Sequence, residues 1–151
     1  MGPRLRGEDE TPLFQSFPSR VRPSPRCYTA VVRALQTIPI LRIFDEAKAR
    51  EFYVGFLGFQ VDWEHRFEPG LPLYMQVTRG GCTLHLSEYH GDATPGSTVF
   101  VRTAGLDAFH QEITSRHYRY LRPGVELAPW NARVMELTDP FGNRLRFSED
   151  L

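Results

Sequence analysis

The chain has 151 residues, 41% hydrophobic and 13% aromatic, which fits one globular domain long enough to bury a core. Its 18 basic and 18 acidic side chains cancel, so no global field favours nucleic acid or an anionic membrane. No run approaches the ~20 apolar residues of a membrane-spanning helix; Cys27 and Cys82 lack metal-type spacing, and the expectation is two free thiols in a cytoplasmic protein.

Residues 1–36 stand apart from the rest. Five of the 12 prolines, six arginines and Glu8-Asp9-Glu10 lie there without the apolar core of a secretory signal. The expectation is an N-terminal tail, disordered or loosely docked at Tyr28–Val32, followed by a single domain over residues 37–151.

From Thr37 the pattern is regular. Ile38–Phe44 reads as a strand with Pro39 near its start. Asp45 is a helix N-cap and Glu46 suits the positive end of the dipole. Ala49, Phe52, Tyr53 and Phe56 then form one apolar helical stripe that Gly58 ends. Strands follow at Phe59–His65, Leu73–Thr78 and Cys82–Glu88, broken at Pro69-Gly70 and Gly80-Gly81. After a polar linker the order repeats: strand Ser97–Thr103, a helix through Leu106, Phe109, His110 and Ile113, then strands Gly124–Pro129, Arg133–Thr138 and Asn143–Ser148. In Asp139-Pro140-Phe141-Gly142, Pro140 suits the second position of a type I turn and Gly142 the fourth. The chain therefore reads as two modules, 37–90 and 96–150, each strand–helix–strand–strand–strand. Neither module covers both faces of its sheet, so the two must pair.

Period two sorts the strand side chains. Leu41, Ile43, Leu84, Leu86, Val99, Val101, Met135, Leu137, Leu145 and Phe147 face the helices. The opposite faces carry Ile38, Ile40, Arg42, Tyr74, Gln76, Thr83, His85, Ser87, Thr98, Glu136, Arg144 and Arg146. That mixture suits a ligand-holding concavity better than a dry core.

This grammar resembles the vicinal oxygen chelate superfamily, which includes glyoxalases, extradiol dioxygenases, fosfomycin-resistance enzymes and bleomycin-resistance proteins. The resemblance spans about Thr37 to Asp150. It rests on Arg42-Ile43-Phe44-Asp45 before Phe52-Tyr53, on Leu57-Gly58-Phe59, and on Asp139-Pro140-Phe141-Gly142-Asn143. It implies an α+β fold of paired βαβββ modules whose curved mixed sheet surrounds a cleft. Metal-dependent members fill four inward positions with His, Glu or Gln. Counted from Phe52-Tyr53, these positions fall on Ile38, His85, Thr98 and Arg146. One imidazole does not hold a divalent ion that wants three protein ligands, and a guanidinium accepts nothing. Neither a metal nor another cofactor is therefore expected. The branch that remains resembles bleomycin-resistance proteins, homodimers that sequester the antibiotic without changing it. The alternative is a metal-dependent glyoxalase-like lyase or dioxygenase with a shifted ligand set, since a one-residue slip brings in Glu136 or Glu88.

The candidate ligand-binding residues are Trp63, Tyr74, His85, Trp130, Glu136 and Arg146, with no catalytic residue assigned. Pro129-Trp130-Asn131 resembles a Trp-Gly stretch that lines the drug cleft of bleomycin-resistance proteins, with Asn131 where Gly is common. Trp63 offers a second flat wall, although its parity with Phe59 and Val61 points to the core. Tyr74 and His85 supply polar contacts, and His85 has Tyr74 or Glu136 as alternative partners. Arg146 either pairs with Glu136 or grips an anionic ligand group bidentately. Asp62, Glu64 and Glu68 are either a solvated face or an attraction for a cationic drug. The expected partner is an aromatic or amphipathic small molecule, of bleomycin type or otherwise.

Overall fold

The computed structural model describes residues 32–151. Residues 1–31 of the expected tail, with Cys27 and Tyr28–Val31, lie outside the described residues. The compact unit runs from Leu35 to Leu151.

Strand β1 (Ile40–Arg42) is shorter than the apolar run around it. Pro39 has no N–H to donate, and its carbonyl accepts from the His85 amide at 3.0 Å before regular pairing begins. Helix α1 (Glu46–Ala49) starts where the Asp45 side chain accepts from the Lys48 amide at 2.9 Å. It widens at once into a π-helical segment, Arg50–Phe56, in which the Leu57 amide reaches back five residues to the Phe52 carbonyl at 2.8 Å. Phe52, Tyr53 and Phe56 are all buried. Strands β2 (Gln60–His65), β3 (Tyr74–Arg79) and β4 (Cys82–Ser87) complete the first module. Gly80 and Gly81 take φ of 52° and 85°, so β3 and β4 are joined by a two-residue turn that needs left-handed backbone at both positions.

The second module repeats this plan with β5 (Thr98–Arg102), α2 (Leu106–Ser115), β6 (Glu126–Ala128), β7 (Ala132–Thr138) and β8 (Arg144–Asp150). The sheets are four-stranded, with orders β1-β4-β3-β2 and β5-β8-β7-β6. In each, the first strand lies parallel to the last and the remaining pairs are antiparallel. The two-module α+β expectation therefore holds.

The helix-facing side chains named above form one core with the aromatic stripe. Val99 and Val101, on an edge strand, are half-buried, while the others are buried. The modules are fastened through this side. Tyr53 donates its hydroxyl to Asp139 Oδ2 at 2.7 Å. Asp139 Oδ1 accepts from the Phe141 and Asn143 amides, and Asn143 Nδ2 donates both to Asp139 Oδ2 and to the Arg42 carbonyl at 2.8 Å. The buried carboxylate thus accepts four hydrogen bonds and needs no cation. Burial, then the neighbouring Asp139 charge, raises the Tyr53 phenol well above its ordinary value of 10.0. Phe52-Tyr53 and the Asp139–Asn143 turn, far apart in sequence, are thus two halves of one clasp. On the other side Arg79 joins Glu112 of α2 at 2.6 Å, and Arg116 donates to the Gly55 and Phe56 carbonyls that end the first helix.

Candidate functional site

With the cores turned toward the helices, each sheet leaves its other face open. The backbone ladders make the two faces comparable position by position. The Ile43 amide bonds the Ser87 carbonyl and the Thr103 amide bonds that of Ser148, so β4 and β8 align on these serines. His85 then matches Arg146, Gln76 matches Glu136, Ile40 matches Phe100 and Ile38 matches Thr98.

On the first face Trp63 stands opposite Gln76, not on the core side. The parity reading fails because a β-bulge between Val61 and Trp63 inserts one residue and reverses the alternation. Asp62 turns the same way and accepts from Gln76 Nε2 and Thr78 Oγ1, both at 2.8 Å. The Trp63 ring stacks on Tyr74 (centroids 5.9 Å apart, interplanar 7°) and meets His85 edge-on at 5.3 Å. Tyr74 Oη lies 2.8 Å from His85 Nδ1, and His85 Nε2 lies 2.9 Å from Gln76 Oε1. Because the Gln76 amide nitrogen donates to Asp62, its oxygen is the acceptor for His85 Nε2–H. His85 Nδ1 is then left to accept from the tyrosine. Burial holds the His85 imidazole below its ordinary 6.5, which favours this neutral form. Burial, then the Asp92 charge, raises the Tyr74 phenol above 10.0, so the tyrosine remains a donor. Tyr74, His85, Gln76 and Asp62 are thus one directed chain beside a tryptophan that is 42% exposed.

The second face is ionic where the first is neutral. Arg146 donates through Nε and Nη2 to Glu136 Oε2 at 2.9 and 2.6 Å. Glu136 is on this sheet, so of the two partners open to His85 the structure selects Tyr74. Phe100, more than half exposed, stands beside Arg146 on the edge strand. The parity that selects Thr98 also selects Phe100, yet an aromatic in a short apolar run reads as core. Trp130 is in the turn between β6 and β7, 59% exposed, beside Asn131 at φ 60°, a left-handed value that explains why glycine is common there. Among the described residues, no ring contact, hydrogen bond or ion pair joins Trp130 or the Arg146–Glu136 pair to the Trp63 cluster.

The four positions that hold metal in the fold's metal-dependent members do not fit an ion here. Ile38 has no donor atom, Thr98 offers only a neutral hydroxyl, His85 has both ring nitrogens engaged, and Arg146 is a cation. Glu136 is spent on Arg146, and Glu88 on the Leu73 amide and Arg66. Among the described residues no cluster of three or more His, Cys, Asp or Glu side chains is arranged to hold a metal.

A groove of about 920 Å³ lies elsewhere among the described residues. It runs between the β1–β4 side of the first module and β5–α2 of the second, and half-buried Cys82 lines it. It includes Thr83, Phe100 and Arg102 but not Trp63, Tyr74 or His85. The aromatic wall of the first sheet lies outside this groove, with Trp63 exposed and Tyr74 and His85 half-buried.

A family model described as "glyoxalase superfamily protein" matches residues 26–151. Among solved structures, a bleomycin-binding protein complexed with bleomycin is 25% identical, with TM-score 0.60 over 77% of this chain and 98% of that one. A bleomycin resistance determinant encoded on the transposon Tn5 is 24% identical, with TM-score 0.58 over 76% and 97%. A glyoxalase-related enzyme from Clostridium phytofermentans is 22% identical, with TM-score 0.62 over 82% and 99%. No curated protein sequence matches the chain.

Proposed function

The chain belongs to the glyoxalase superfamily, and we propose that within it this protein captures an aromatic or amphipathic small molecule, of bleomycin type, without changing it. The observation that carries this reading is the Trp63–Tyr74–His85 wall. Its rings are partly exposed, its polar atoms are oriented by the chain to Asp62, and no lone pair on His85 is left for a metal. Such a surface binds by stacking and by a few aimed hydrogen bonds. Asp62 has no cationic partner among the described residues and favours a ligand with positive charge nearby.

In this reading Trp63, Tyr74 and His85 form one wall, and Trp130, Glu136 and Arg146 belong to another. A second copy of the chain brings the two kinds of wall together, so the working unit is a cytoplasmic homodimer. The exposure of Trp63, Phe100, Leu127 and Trp130 supports an unfilled interface. The bleomycin bound by one structural relative supports the ligand class.

Titration of the full chain with bleomycin and with copper-bound bleomycin, followed by tryptophan fluorescence and calorimetry, tests this directly. Saturable binding at micromolar protein, with the signal lost in Trp63→Phe or Trp130→Phe, is expected. Absence of binding removes the bleomycin-type ligand. Sedimentation at the same concentrations reads the dimer.

A further inference from the structure

We infer that the open face of the second sheet is an anion-reading subsite centred on Arg144, which accepts a carboxylate- or phosphate-type group and so widens the ligand class beyond cationic molecules of bleomycin type. This deepens the capture reading and rests on it for the rest of the ligand, but not for the subsite itself. Three arginines share this face, and two are already neutralised: Arg146 by Glu136 and Arg102 by Asp150. Among the described residues Arg144 alone of the three has no carboxylate partner, and it is exposed. Thr98 and Thr138 stand in register on either side of it, each a possible hydroxyl donor to the same anion. Arg146 lies two residues on, about 6.6 Å along the strand. Its Nη1 is not used on Glu136, which leaves a second guanidinium N–H for the anion. Phe100, opposite Arg146, offers an exposed ring for the apolar part of the molecule. A planar, bidentate acceptor matches the Arg144 fork better than a point charge does. In the first sheet the position matching Arg144 is Thr83, and the guanidinium on that face, Arg42, is engaged on the Ile43 and Ser87 carbonyls and over the Phe44 ring, so the subsite belongs to one module only.

Three probes separate this inference from the capture reading: inorganic phosphate, 2-naphthoate and its neutral isostere 2-naphthamide. Phosphate added to the full chain is expected to move the amide resonances of Thr98, Phe100, Thr138 and Arg144, and not in Arg144→Gln. Naphthoate is expected to bind about tenfold more tightly than naphthamide at low salt. That preference should fall to unity in Arg144→Gln and return in part in Arg144→Lys, with naphthamide affinity unchanged throughout. Equal affinities, or a preference that survives Arg144→Gln, overturn the inference while leaving capture standing. Phosphate shifts that depend on Arg144, with neither naphthalene bound, support the subsite and count against aromatic capture. No phosphate response and no naphthoate preference remove the subsite.

Discussion

The two sheets share one backbone plan but differ in chemistry at the centre of their open faces, while Ser87 and Ser148, Arg42 and Arg102, and Thr78 and Thr138 stay alike. Where the first places His85 beside Gln76, the second places Arg146 beside Glu136. Both pairs link neighbouring strands, one by a neutral hydrogen bond and the other by an ion pair. The neutral pair leaves an aromatic surface whose hydrogen-bond chain ends on the Asp62 carboxylate; the ionic pair consumes its own charge and leaves Arg144 to act outward. The lesson is that a duplicated scaffold fixes where side chains point, and the residue types alone decide what each face recognises.

The comparison breaks most completely if the clasp that fastens both modules is cut. Asp139→Ala strands the donors of Tyr53, Phe141 and Asn143, and is expected to cost more than about 3 kcal/mol and to lower the Tm by roughly 10 °C. Calorimetry and near-ultraviolet dichroism should show both modules loosening together. Tyr53→Phe removes one donor and should cost about 1–2 kcal/mol. The raised Tyr53 phenol adds an alkaline signature. Above pH 10 the unfolded chain loses a proton that the folded one retains, so stability falls as pH rises, and Tyr53→Phe should flatten that limb.

Exchanging the chemistry sharpens the contrast. His85→Arg alone introduces an unpaired guanidinium beside Tyr74 and Gln76, and is expected to cost about 1–3 kcal/mol. Adding Gln76→Glu recreates the second sheet's pair and should recover most of that loss in thermal denaturation. Ligand-induced fluorescence change at Trp63 should not return, because Tyr74 has lost its acceptor.

A smaller effect is expected at the wall. Trp63→Ala removes one stacking partner and should weaken an aromatic ligand by about 3- to 10-fold in calorimetry. The His85 imidazole, held below 6.5 by burial, gives the first face an acid limb. The unfolded chain takes up a proton as pH falls below 6.5 before the folded one does. Stability is therefore full above that pH and lost on acidification through the lower folded value. Protonation also turns Nδ1 from acceptor to donor, so ligand capture should weaken over the same range, and His85→Gln should remove that dependence. The smallest effect belongs to Arg146→Gln. The pair is about one-third exposed, so a cost of roughly 0.2–1 kcal/mol is expected by denaturant titration.

Much of this arrangement was legible in the sequence because it is encoded locally. Alternation identified the core faces, the Ala49–Phe56 stripe identified the buried helix, and Asp45, Gly58 and the Asp139–Gly142 turn marked where elements start and stop. The Arg146–Glu136 pair was also open to that reasoning, since opposite charges share one face of adjacent strands. Trp63 was not, because a bulge inserts a residue without changing composition and the alternation on its two sides looks equally regular.

The amino-acid order by itself determined the two modules, their core faces and the absence of electron-pair donors at Ile38 and Arg146. Only the tertiary structure decided that Asp62 and Trp63 face outward, that His85 takes Tyr74 and Gln76 as partners, and that Tyr53 closes on Asp139, 86 residues away. Periodicity and turn chemistry act over a few neighbouring residues, whereas register shifts and buried hydrogen-bond partners are chosen when distant segments pack and each polar atom must find a mate.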